Sequence, residues 1–231
     1  MAKTRNCPEK SHKVLRDLIA AAAPNCDADK LAGQLLLYHG SLAPMMESHA
    51  EDLLKIAEVP PAAARLITFI PGLTRYLACE KARRTAVIQN VDMAGEYLKP
   101  FYIGHHYEQF YLLCLSAEGR VLECNMLQQG TLDEAPFYLR HVLEAASRAG
   151  AHAVVFSHNH PGGTRRPSRA DIDSTLFALT ALCAMRIVLL DHIIVADSTA
   201  ISMREYDPSL EEAFLAQSKT DPLLRKWLKK K

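Results

Sequence analysis

Over residues 9 to 80 the apolar positions recur at helical intervals between start and stop signals, which predicts helices joined by short connections. Asp27 is a candidate N-cap for a helix that stops at His39-Gly40. Ser48-His49-Ala50-Glu51 has the form of a capping box opening the run Asp52 to Ile56. Pro60-Pro61 breaks that helix and starts Ala62 to Phe69, which Pro71-Gly72 is expected to end or kink. From about residue 86 short β-rich runs alternate with helical ones, as in an α/β or α+β sheet domain. Asp92 to Tyr97 reads as a helix, and Gln109 to Ser116 and Arg120 to Met126 as strands of a hairpin turning at Ala117-Glu118-Gly119. Phe137 to Arg148 has helical periodicity, Ala153 to Ser157 is a short buried strand and Ser168 to Ala184 a further helix. Arg186 to Val195 and Ala200 to Met203 supply the last strands, and the lysines of Leu224 to Lys231 predict a solvated or frayed helix end. The expected division is a helical domain over residues 1–84, a sheet domain over 85–206 and a basic helical tail over 207–231.

A chain of 231 residues that is 49% hydrophobic and 23% charged can bury a proper core, which sets aside disordered, collagenous and coiled-coil classes. With 27 basic against 26 acidic residues, the net charge of +1 removes the electrostatic case for a dedicated nucleic-acid-coating protein. Cysteines 7, 26, 79, 114, 124 and 183 form no C-x-x-C pair and mostly have apolar neighbours, so they read as reduced, mostly buried thiols. The apolar run Leu18 to Pro24 is too short and wrongly flanked for a signal peptide or a membrane span. A cytoplasmic protein with no membrane partner is expected.

The chemistry concentrates in Ser157 to Asp171. His158 and His160, two apart as they leave a strand, point to the same side and can reach one cation. Asp171, on the first turn of the next helix, can complete an N/N/O set after the Pro161-Gly162-Gly163 turn. Three protein ligands and one open position define a catalytic zinc site. A lone H-x-H is more often packing, and Ser168 with Asp171 is by itself a capping box. The combination is less ordinary, because neither ending a strand nor capping a helix requires two histidines and a returning carboxylate.

The string His158-Asn159-His160, Ser168 and Asp171 resembles the H-x-H-x7-S-x2-D core of the JAB/MPN metalloenzymes, the JAMM motif. The RadC family is the closer resemblance, through Glu108-Gln109-Phe110, Gln129 to Asp133, Ser157 to Gly163 and Asp191 to Val195 in order. It implies an α+β domain, the α/β/α cytidine-deaminase-like JAB/MPN sheet, preceded here by a small all-helical domain. It also implies Zn2+ held by His158, His160 and Asp171, Glu108 as acid/base and Ser168 helping to hold the reacting oxygen. The family's usual Pro-Ser-Gly is Pro161-Gly162-Gly163 here, which leaves the ligand set untouched.

Metal-assisted hydrolysis of a peptide or isopeptide bond is the expected reaction, with a metal-bound water acidified toward a pKa of about 7. Glu108 would take the water proton and return it to the leaving amine, Ser168 would steady the oxyanion, and Glu123 on the next strand is the rival base. A protein or peptide substrate is therefore expected. A DNA-associated repair or recombination accessory protein, with a structural or non-proteolytic metal, is the alternative. RadC-like proteins often carry a helix-hairpin-helix before the sheet domain, but Ala57-Glu58-Val59-Pro60-Pro61 puts a carboxylate and two donor-less prolines where a phosphate would need backbone N–H groups. Zinc deaminases need H-x-E with a later P-C-x-x-C, whereas His158 is followed by Asn159-His160 and the chain has no such cysteine pair. Asp191-His192 is expected at the rim of a strand as a structural pair.

Overall fold

The computed structural model describes residues 8–56, 58–83, 87–130, 135–197, 199–217 and 221–228. The chain divides into two compact units, Met1–Leu77 and Ala78–Lys231.

The first unit holds α1 (Pro8–Ala22), α2 (Ala28–His39), α3 (Leu42–Met46), α4 (Ala50–Leu54) and most of α5 (Pro61–Arg83). Its core is built from Leu15, Ile19, Leu31, Leu35, Met45, Leu53 and Ile67. The Asp27 carboxylate accepts from Lys30 N–H at 3.0 Å, and Gly40 takes φ 75°, so α2 starts and stops where its signals stand. The Ser48 capping box, by contrast, does not form. The Ser48 hydroxyl donates to the Pro44 carbonyl at 3.1 Å and lies 3.3 Å from His39 Nδ1, and α4 starts after His49 without a side-chain cap. Nor does Pro71-Gly72 end α5, which continues to Arg83. An interior proline costs about 3 kcal/mol, and the burial of Ala63, Ala64 and Ile67 before it and the packing of Cys79 and Ala82 after it outweigh that cost.

The second unit opens with α6 (Val91–Leu98) and a 3-10 turn, Lys99–Tyr102. There follow β1 (Gln109–Leu115), β2 (Val121–Gln129), α7 (Ala135–Arg148), β3 (Ala153–Asn159), α8 (Arg169–Ala184), β4 (Val188–Ala196) and β5 (Thr199–Ser202). The chain closes with α9 (Met203–Tyr206), α10 (Pro208–Gln217) and α11 (Pro222–Leu228). The sheet order is β2-β1-β3-β4-β5, antiparallel except between β3 and β4, where α8 is the crossover. One face packs Phe110, Leu112, Phe156 and Ile194 against α7, α8 and α10. The other packs Tyr111, Leu113, Val155 and Ile193 against α6, the 3-10 turn and α11. The result is a mixed α+β sheet between helical layers, preceded by a helical part. β1, β3 and β4 are buried along their whole length, which is why they read as unbroken apolar runs, whereas β2 is a half-exposed edge. The hairpin turn depends on Gly119 at φ 81°, where a Cβ would come 2.4 Å from the Ile88 carbonyl oxygen. Among the described residues no helix is long and apolar enough to cross a membrane.

Asp191 and His192 are not at a strand rim; both are buried in the middle of β4. A register shift pairs Val154 with Leu189 but Val155 with Asp191, so Leu190 is the extra residue of a β-bulge. The bulge leaves Asp191 on the α11 face, where Ser202 Oγ (2.7 Å) and Trp227 Nε1 (3.3 Å) donate to its Oδ2 and Arg204 Nε stands 3.6 Å away. Burial pushes the Asp191 carboxyl up to about 6 against the pull of Arg204 and these bonds. The thiols also differ from expectation. Of the five described, Cys114 is buried and Cys183 exposed, because α8 turns Leu182 inward and its successor outward. The end of the chain is solvated on one side only. Leu223, Leu224 and Trp227 join the core while Arg225 and Lys226 are exposed, and residues 229–231 lie outside the described ones.

Trp227→Ala is expected to lower the unfolding free energy by about 3–5 kcal/mol in urea titration, the cost of emptying a large aromatic site, where a merely solvated tail would show no change. A pH series on the Asp191 network gives a second expectation. The folded value lies above the ordinary 3.8, so the carboxyl's stabilising contribution is complete below about pH 4 and is lost as pH rises through about 6. The stability of the wild type relative to Asp191→Asn should therefore fall across that window and level off above it. A constant difference from about pH 4 to 7 would overturn the assignment.

Candidate metal centre

β3 ends in the central layer of the sheet, and His158 and His160 leave it on one side, as the period of two dictates. Their Nε2 atoms stand 2.9 Å apart. α8 then starts at Ser168, whose hydroxyl accepts from Asp171 N–H at 3.1 Å while its own N–H and O–H donate to Asp171 Oδ2, each at 2.7 Å. This closed capping box holds the Asp171 carboxylate with Oδ1 3.5 Å from His158 Nε2 and Oδ2 3.7 Å from His160 Nε2. One ligand atom from each of the three residues lies within 4.8 Å of the others, so the cluster could hold a metal ion.

The electrostatics suit a cation. Burial holds His158 down at about 4, which keeps its ring neutral and its lone pair free. His160 is raised, mainly by Asp171 and further by the Thr164 carbonyl and the charge of Glu108. Burial would raise Asp171, but His160, His158 and the Ser168 bonds outweigh it and keep the carboxyl well below its ordinary range. His160 Nδ1 lies 2.7 Å from the Thr164 carbonyl, which can only accept, so this nitrogen carries a proton. On the neutral ring Nε2 is then bare, and a bare nitrogen 2.9 Å from His158 Nε2 and beside a carboxylate favours positive charge at this place. Two imidazoles and a carboxylate are a zinc-type donor set.

Glu108 stands immediately before β1. The antiparallel register sets Phe110 against His158, which puts Glu108 level with His160. Asn159, between the two histidines, clamps this stretch from both sides. Its Oδ1 accepts from Gln109 N–H at 2.7 Å and its Nδ2 donates to the Tyr107 carbonyl at 3.2 Å, so the residues flanking Glu108 are both tied to β3. Glu123 sits elsewhere. It pairs with Cys114, and Cys114 with Val154, four residues from His158 or about 13 Å along the strand. Its carboxylate accepts from Asn125 Nδ2 at 2.7 Å. The Gly162-Gly163 turn uses its second glycine at φ 74°, where a Cβ would meet the Asp197 carboxylate at 3.0 Å.

Sequence reasoning did not connect His192 to the site, although its Nε2 lies 2.7 Å from His158 Nδ1, nor Thr175, 2.6 Å from His192 Nδ1. An Asp-His pair inside a strand of otherwise apolar residues was the available signal, since buried polar groups need partners.

Added zinc at about 100 times its dissociation constant should stabilise the wild-type chain by about 2.7 kcal/mol in thermal or urea unfolding, and a chelator should reverse it. His158→Ala with His160→Ala should show no such shift. Equal stabilisation of the double variant would remove these residues from the ligand set.

Residues 88–208 match the family described as RadC-like JAB domain. A UPF0758 protein of Ectopseudomonas mendocina (strain ymp) is 32% identical over 193 residues, 84% of this chain and 86% of its own. A UPF0758 protein of Stenotrophomonas maltophilia (strain K279a) is 36% identical over 182 residues, 78% of this chain and 77% of its own. A third, of Pseudomonas fluorescens (strain SBW25), is 36% identical over 177 residues, 76% of this chain and 79% of its own. These alignments are longer than the sheet-domain match, so the similarity extends beyond it.

Proposed function

The chain belongs to the RadC-like JAB-domain family, and from that premise we propose that it is a zinc-dependent hydrolase of peptide or isopeptide bonds. The observation that carries the reading is the convergence of His158, His160 and Asp171 on one place, with Glu108 level with His160 in the register of β1 against β3. Bound there, zinc would supply Lewis acidity toward a carbonyl and bring the pKa of a water down to about 7.

The protein's own groups do the rest. His158 and His160 offer nitrogen lone pairs, and Asp171 offers oxygen from a carboxylate whose Oδ2 is already fixed by Ser168. Glu108, held by the Asn159 clamp, takes a proton from the attacking water and returns it to the leaving amine. Ser168 orients Asp171, and turning the same O–H toward the tetrahedral oxyanion would lower the barrier further. A protein or peptide substrate follows from this chemistry. The five described thiols suit a reducing compartment, and we place the reaction in the cytoplasm. The alternative, a DNA-associated repair or recombination accessory protein with a structural metal, has less support. At the turn before α5 the Glu58 carboxylate takes up Lys30 at 2.9 Å, so carboxylate and prolines stand where a phosphate would need free donors.

Glu108→Gln separates metal binding from chemistry, since the amide keeps the shape but cannot take the proton. Against peptide and isopeptide libraries, with a nucleic-acid set as counter-screen, the zinc-loaded wild type should cleave the first two. The variant should keep its zinc and KM while kcat falls by about 10² to 10⁴. Glu123→Gln should turn over normally. A fully active Glu108→Gln enzyme would defeat the proposed role of Glu108.

A further inference from the structure

His192 lies on β4, the strand beside β3, and is not among the three residues whose ligand atoms converge. It is fully enclosed, with Phe110 and Phe156 set edge-on to its ring at centroid distances of 5.9 and 5.6 Å. The bulge at Leu190 turns it onto the α8 face, so that its two nitrogens bridge β3 and α8. Nε2 meets His158 Nδ1 at 2.7 Å and Nδ1 meets Thr175 Oγ1 at 2.6 Å. Thr175 Oγ1 in turn donates to the backbone carbonyl of Asp171 at 2.5 Å.

Proton counting gives this chain one direction. The Asp171 carbonyl has no proton, so the single Thr175 proton goes to it and the Thr175 oxygen must accept from His192 Nδ1–H. The His192 ring is enclosed beside Phe110 and Phe156, and among the described residues its two nitrogens meet only Thr175 and His158, so it carries one proton; with that proton on Nδ1, its Nε2 is a lone pair that must accept from His158 Nδ1–H. The one proton of neutral His158 is then spent on Nδ1. Its Nε2 is bare, and this is the atom 2.9 Å from His160 Nε2 and 3.5 Å from Asp171 Oδ1.

We infer that His192 and Thr175 are positioning residues which fix the tautomer of His158 and so present its Nε2 lone pair to a divalent cation. The metal half of this inference rests on the proposed function; the tautomer half does not. The relay starts at the Asp171 backbone and ends at the place where the Asp171 side chain converges, so one closed circuit ties both ligands, β3 and α8 together. A carboxylate in the place of His192 would orient His158 too, but would add a negative charge beside Asp171. The neutral imidazole orients without adding one.

The test uses the full chain in four forms besides the wild type: His192→Gln, His192→Phe, Thr175→Val and the double variant Thr175→Val with His192→Gln. Nitrogen NMR of the metal-free protein reads the tautomer of His158, and chelator competition reads zinc affinity. The wild type should carry its proton on Nδ1; a proton on Nε2 overturns the inference. His192→Phe should bind zinc about 10- to 100-fold more weakly, the loss usual when a ligand's hydrogen-bond partner is removed. His192→Gln, whose amide oxygen can accept the Nδ1 proton, should recover most of it. Thr175→Val, nearly the same shape as wild type, covers the case in which His192→Phe fails to fold. It should weaken zinc by about tenfold in the wild-type background, where it frees His192 to reverse its tautomer, and by less than about twofold in the His192→Gln background. Wild-type affinity in Thr175→Val, or an equal loss in both backgrounds, overturns the relay. If zinc does not bind the wild type at all, the metal reading falls while the NMR spectrum still decides the tautomer.

Discussion

Two imidazole nitrogens held 2.9 Å apart at a buried strand end repel each other unless positive charge lies between them. Asp171 supplies the compensating negative charge, 3.5 and 3.7 Å from the two nitrogens. It can do so because of how α8 begins. The bonds from Ser168 that satisfy the first turn of the helix are the same bonds that hold the carboxylate, so helix start and carboxylate orientation are a single arrangement.

The sheet topology makes that arrangement possible. β3 and β4 are parallel, and a parallel pair needs a crossover that carries the chain from the carboxyl end of one strand back to the start of the next. α8 is that crossover. Its first turn must therefore rise beside the end of β3 where the histidines emerge, and ligands in open sheets of this kind gather at the carboxyl ends of strands. A hairpin would return the chain with no helix N-terminus there. On the other side β1 runs antiparallel and brings Glu108 level with His160, so a carboxylate, the two histidines and the helix start meet at one corner of the sheet.

Alternation along the strands divides the labour. His158 and His160 face the centre, while Asn159 between them secures the chain on both sides of Glu108. On β4 a regular strand would also put neighbours on opposite faces, but the bulge at Leu190 decides which residue gets which face. Asp191 goes to Trp227, Ser202 and Arg204 and anchors the C-terminal helix, and His192 goes to His158 and Thr175. One extra residue thus serves both the stability of the C-terminal segment and the site.

The strands, the hairpin at Gly119, the caps at Asp27 and Ser168 and the grouping of His158, His160 and Asp171 are legible in the sequence, because each depends on spacing within one element or between neighbouring ones. The departures depend on packing between elements distant in the chain. Ser48 turns to Pro44 and His39 rather than to its own helix, and α5 runs through Pro71 because core contacts on either side outweigh one missing bond. Cys183 is exposed and Trp227 enclosed because tertiary contacts, which local composition does not encode, decide the buried face of each helix. Asp191-His192 reads as a rim pair because such a pair looks alike at an edge or in a core. Only the bulge on β4 gives each of the two a buried partner, Trp227 thirty-six residues from Asp191 and His158 thirty-four from His192, and so makes the interior position affordable.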